Sequence, residues 1–215
     1  MTTKSGRPTQ VIVIAVIGLV LGSLGLFGGA MGTLSSLSQE SMVEQQRALL
    51  GASGAPPQQV RMQLEILEAT LEAQRPYMPF LIMGNLFNAL ASALLGIGCV
   101  LLLMGHARAP LAFGVTAGIA AFSDVLFGVL SYLVGMATSS VMSDSMTGMF
   151  EGIPNGGDAG AMMGIFGTAI GYITACWTAM WVLIKLSYYT GGALYLQRPH
   201  VKRTFEPAPV APPML

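Results

Sequence analysis

The chain has 215 residues, 53% of them hydrophobic and 9% charged, and its 10 basic and 10 acidic side chains cancel to a formal net charge of zero. Water-soluble domains carry about 25% charged residues, so this composition excludes an ordinary soluble domain and makes the lipid bilayer the expected solvent. With no net positive charge, no nucleic-acid partner is expected.

Four apolar runs, residues 11–32, 79–104, 111–138 and 159–188, reach the roughly 20 residues needed to cross the hydrocarbon core. The predicted fold is all-α: a polytopic membrane protein with a four-transmembrane-helix bundle and an extracytoplasmic helical hairpin, residues 33–78, between the first two spans. A tail at 1–10, a turn at 105–110, an outer loop at 139–158 and a tail at 189–215 complete the division. Lys4, Arg7, Arg108, Lys185, Arg198, Lys202 and Arg203 then share one side. The other side holds Glu40, Glu44, Glu65, Glu68, Glu72, Asp144, Glu151 and Asp158, offset by Arg47, Arg61 and Arg75. Positive charge marks the cytoplasmic side, so both termini are expected there. The compact loops and lack of an organellar signal favour a plasma membrane of the bacterial inner-membrane kind.

Residues 1–10 are a short polar tail, and the apolar run after them is longer than a signal-peptide core. An uncleaved anchor is expected, with Gly28-Gly29-Ala30 the alternative cleavage point. Gly18, Gly22, Gly25, Gly29 and Gly32 ascend this span at steps of four and three. Glycine costs a helix about 1 kcal/mol against alanine, so five on one stripe imply close contact with another helix.

No helix breaker separates residues 33–50 from the first span, and continued helix is predicted until Gly51 to Pro57 interrupts it. Helix returns over residues 58–75, with Val60, Leu64, Leu67 and Leu71 on one face and Glu65, Glu68 and Glu72 on another. Each arm of this hairpin is about 27 Å long at about 1.5 Å per residue. The leucine stripe matches the first arm poorly, which leaves surface for a partner: another membrane-protein subunit or a second copy. Pro76 and Pro79 predict a kink where the second arm meets the second span.

The second span carries Asn85, Ala89, Ser92, Gly96 and Cys99 on one stripe and Asn88 beside it. Gly105 to Pro110 predicts a tight turn into the third span. There Gly114, Ala117, Ala121, Asp124, Gly128, Ser131 and Gly135 share a stripe. A carboxylate at mid-bilayer costs roughly 2.5–3.5 kcal/mol to insert, so Asp124 is expected to face protein. It lies about 21 Å along the helix from Pro110, within about one turn of the depth of Ser92 and Asn88. An intramembrane polar cluster of Asp124, Asn88, Ser92 and Asn85 is therefore predicted.

Met142, Met146 and Met149 predict a short amphipathic interface helix, with thioether binding of Cu(I) the alternative. Pro154 to Gly157 signals a turn. The fourth span repeats the glycine device with Gly160, Gly164, Gly167 and Gly171, followed by Thr174 and Thr178. This ladder and that of the first span are candidates to pack on each other. Tyr188, Tyr189 and Tyr195 occupy an inner aromatic belt, with Lys185 able to snorkel. The tail from Pro199 is basic, then proline-rich, and is expected to be disordered.

Cys99 and Cys176 both lie within spans and form no Cys-x-x-Cys pair, so they are expected as packing residues. The four-span plan lacks the Cys-Cys-Gly of tetraspanins and the outer-loop Trp and paired cysteines of claudins. His106 and His200 are too separate for haem ligation, and no phosphate loop, nucleophile elbow or metal-spaced set is present. Neither enzyme activity nor a cofactor or metal is expected. The sequence points to a structural, assembly or accessory subunit of a membrane complex. The alternative is a small transporter or ion-coupled component with Asp124 as its proton or cation site.

Overall fold

The computed structural model describes residues 8–52, 56–148 and 156–206. Among them there is helix and no strand, and four helices are long and apolar enough to cross a membrane. The helices are α1 (Thr9–Leu37), α2 (Gln39–Ala52), α3 (Pro57–Gln74), α4 (Met78–Met104), α5 (Ala109–Gly148), α6 (Gly156–Leu196) and α7 (Pro199–Lys202). They form two compact units. One comprises Met1–Gly29, Phe87–Asp124 and Leu183–Leu215, the other Ala30–Leu86 and Val125–Val182.

The first unit is built on a core of Val11, Ala15, Leu95, Cys99, Leu102, Ala109, Phe113, Ala117, Ala120, Tyr189 and Leu196, completed by Val201 and Phe205. This core mixes alanines with large side chains such as Leu95, Leu102 and Phe113, and other large apolar residues face outward: Leu24, Ile97, Leu111 and Leu183 are all at least half exposed. An apolar exterior of this kind suits helices whose solvent is hydrocarbon.

The predicted α4–α5 turn closes as a Schellman motif. Gly105 has φ 70°, its N–H donates to Leu102 and that of His106 donates to Leu101, each at 3.2 Å. Only glycine adopts this left-handed conformation without steric cost. The tail differs from expectation. Pro199 opens α7, a 3-10 turn at Arg203–Phe205 follows, and Val201 and Phe205 are buried in the core. These two apolar residues, four apart, anchor the segment through 206; the proline-rich remainder lies outside the described residues.

In the second unit, Ser38 interrupts helix only nominally between α1 and α2, since its amide still donates to Leu34 at 2.9 Å. Arg47 of α2 pairs with Glu68 of α3, and Gln39 donates to Gln74 at 3.1 Å. Gln74 in turn donates to Thr138 of α5 at 3.2 Å. Pro76 lies in a 3-10 turn, Arg75–Tyr77, which leads directly into α4. Its missing N–H is accommodated by tightening the chain, and Pro79 falls in the first turn of α4, where no amide is required.

α5 extends through Gly148, beyond the predicted span end at 138, because nothing from Ser139 to Gly148 breaks a helix. Met142 thus belongs to α5 and not to a separate interface helix, while Met149 and residues 150–155 lie outside the described residues.

Candidate functional site

Asp124, within α5, is buried in the first unit. Its carboxylate is held from α6: Lys185 Nζ donates to Oδ1 at 2.6 Å and Tyr189 OH donates to Oδ2 at 2.9 Å. Lys185 and Tyr189 are one helical turn apart and so project from the same face of α6. The Lys185 and Asp124 side chains are only 13% and 8% exposed. This is a desolvated pair in which a phenol bonds the second carboxylate oxygen, the added hydrogen bonding that a buried charge pair needs.

The adjacent Tyr188 OH donates to the Ile14 carbonyl of α1 at 2.5 Å. The two tyrosine rings meet edge-on at 5.6 Å, and Phe113 lies edge-on to Tyr188 at 6.4 Å. One turn of α6 therefore grips two helices, α5 through a carboxylate and α1 through a backbone carbonyl. Ser123 is fully buried beside Asp124 in sequence, and its hydroxyl has no hydrogen-bond partner among the described residues.

The predicted cluster of Asp124, Asn88, Ser92 and Asn85 is not assembled. Both carboxylate oxygens are bonded from α6, and the polar stripe of α4 meets α1 instead. A Cβ at Gly18 would collide with Cys99 Sγ and Tyr188 OH, and one at Gly25 with Ser92 Oγ. In the second unit a Cβ at Gly32 would lie 2.6 Å from Asn85 Oδ1. As α1 advances by seven residues α4 retreats by seven, so each glycine receives one side chain of the facing stripe. Asn88 is half-buried on a neighbouring face. Lys185 was counted with the cytoplasmic rim, yet α6 continues eight residues past 188, to Leu196. Lys185 thereby lies about 16 Å from that helix end, deep enough to reach Asp124.

The two glycine ladders do not pack on each other. Gly22 of α1 faces α4, where a Cβ would lie 2.9 Å from the Ser92 carbonyl oxygen; Gly18 and Gly25 face the same helix, and Gly29 is buried in α1. Gly164, Gly167 and Gly171 of α6 face Ser143, Thr147 and Ser139 of α5. Ser143 donates to the Gly164 carbonyl at 3.1 Å and Ser139 to that of Gly167 at 3.4 Å. Hydroxyls opposite glycines bond exposed carbonyls that a side chain would shield, which gives serine an advantage over a second glycine. Gly160 is helical, but its surroundings lie outside the described residues.

Val60, Leu64, Leu67 and Leu71 are all half-buried on α3. Leu67 lines a groove of about 480 Å³ with Leu49, Leu50, Ile66, Thr70 and Met142. Both cysteines are free, Cys99 buried and Cys176 exposed. Among the described residues no group of three or more His, Cys, Asp or Glu side chains is placed to hold a metal ion. Compared with known protein families, curated proteins and solved structures, the chain matches none.

Proposed function

We propose that this membrane protein is a non-enzymatic structural, assembly or accessory subunit of a larger membrane complex. In this reading it crosses the plasma membrane four times with both termini cytoplasmic. α2 and α3 form a hairpin on the outer side, and its apolar groove receives a neighbouring subunit.

The observation that carries the reading is that both carboxylate oxygens of Asp124 are bonded from α6. A carboxylate used to carry protons or cations needs a free acceptor face and a route to water. Here Lys185 Nζ occupies the position a transported cation would take, and Tyr189 occupies the other oxygen. The pair joins α5 to α6, which is a structural task, and this weighs against Asp124 as a coupling site. The half-buried leucines of α3 and the 63% exposed Leu49 of α2 provide apolar surface for contact with another protein.

Crosslinking tests the proposal. In a Cys176→Ser background, Leu64→Cys and Leu67→Cys variants are treated in native membranes with a short bifunctional thiol reagent. Adducts to a different protein are expected at both positions. Recovery of the uncrosslinked chain alone, with the thiols shown to be accessible to a small maleimide, would overturn the assignment of this surface.

A further inference from the structure

We infer that the folded segment after α6, together with the α4–α5 turn, forms a fixed cationic platform that binds the phosphate headgroups of anionic phospholipid. The sequence alone gives three cations in a tail, which topology explains. Folding changes both their number and their freedom.

Val201 and Phe205 are buried in the same core cluster as Leu102, Ala109 and Leu196. That shared core includes Ala109 at the end of the α4–α5 turn, whose chain neighbour Arg108 is a fourth cation of the same unit. Arg108, Arg198, Lys202 and Arg203 are all exposed, and none is in an ion pair among the described residues. The acidic side chain described on this segment is Glu206, against Arg198, Lys202 and Arg203 on the same segment and Arg108 at the turn. Arg198 is also held in place, its guanidinium 5.6 Å above the Tyr195 ring, with His200 edge-on to the same ring at 6.3 Å.

The position of the segment identifies the ligand. α7 begins three residues after the membrane-spanning α6 ends at Leu196, and Tyr195 is the type of residue that marks the headgroup level. Val201 and Phe205 are committed to the protein core and cannot insert into lipid as an amphipathic anchor does. Contact with the bilayer must therefore run through the charges, and guanidinium forks suit phosphate oxygens in two-point contact. Arginines held on a folded segment bind with less ordering cost than the same residues on a free tail.

The test uses the full-length protein in mild detergent, offered dioleoylphosphatidylglycerol or dioleoylphosphatidylcholine, with retained lipid counted by native mass spectrometry. Wild type is expected to retain the anionic lipid preferentially. Each cation near an anionic surface contributes about fivefold in affinity, so Lys202→Gln/Arg203→Gln should lower that retention by roughly 30-fold. Both residues are exposed, so folding should be unaffected. Arg61→Gln/Arg75→Gln removes the same charge from α3 and its flanking turn and should leave retention unchanged. Absence of any preference in wild type, or equal loss in the two double variants, would overturn the proposal.

Discussion

Asp124 shows how a residue that is costly in a membrane becomes part of what holds the protein together. Alone, it opposes insertion by roughly 2.5–3.5 kcal/mol; bonded to Lys185 and Tyr189, it joins α5 to α6. Breaking a buried pair leaves the other charge uncompensated and typically costs about 3–5 kcal/mol, whereas replacing both partners by apolar residues is often neutral. Lys185→Met is thus expected to lower unfolding stability in mixed micelles by about 3–5 kcal/mol. Asp124→Leu/Lys185→Met should recover most of that loss, and Tyr189→Phe alone should cost about 1.5–3 kcal/mol as a hydrogen bond to a charged group. A double variant as unstable as Lys185→Met would contradict a purely structural pair. That Asp124 faces protein was legible from its stripe of small residues. Its partner was not, because the depth of Lys185 depends on where α6 ends, and Tyr188-Tyr189 resembles an interfacial belt while lying in the packed interior.

At the scale of the helices, two of the antiparallel contacts, α1 on α4 and α5 on α6, are glycine seams in which side chains of the facing helix fill the space above the glycines. The ladders and their need for close approach were readable from spacing. Their pairing was not, since every stripe repeats at about the same period and any two are mutually compatible. The discriminating signal was finer: Gly18, Gly25 and Gly32 step by seven, as do Asn85, Ser92 and Cys99. Gly22 and Gly28 provide a matched test. A Cβ at Gly22 meets the backbone of Ser92 and Gly96, whereas one at Gly28 meets nothing within 4 Å. Gly22→Ala is expected to destabilise by about 1–3 kcal/mol, the usual range for overpacking. Gly28→Ala should be neutral or stabilising by up to about 1 kcal/mol, from helix propensity alone. Equal effects at the two sites, measured by the same micellar unfolding, would mean that the α1–α4 register is wrong.

For the molecule as a whole, the apolar runs announced four helices long and apolar enough to cross a membrane, because the length needed is set by the bilayer and not by the protein. The segments beyond the spans were harder to read. The helix of α5 continues through a stretch that resembles a loop in composition, and the tail after Leu196 looked disordered because its basic residues outnumber the two apolar ones, Val201 and Phe205, that anchor it. Among the described residues the structure leaves an apolar groove lined from α2, α3 and α5, while Asp124 and Lys185 are paired with each other. Both features are what the proposed role as a partner-binding subunit would use. The most direct test is to purify the tagged protein from its native membrane in mild detergent and determine the mass of the intact particles by native mass spectrometry. A defined assembly containing other proteins is the expected result; a lone monomer, or an oligomer of this chain only, would contradict the accessory-subunit function.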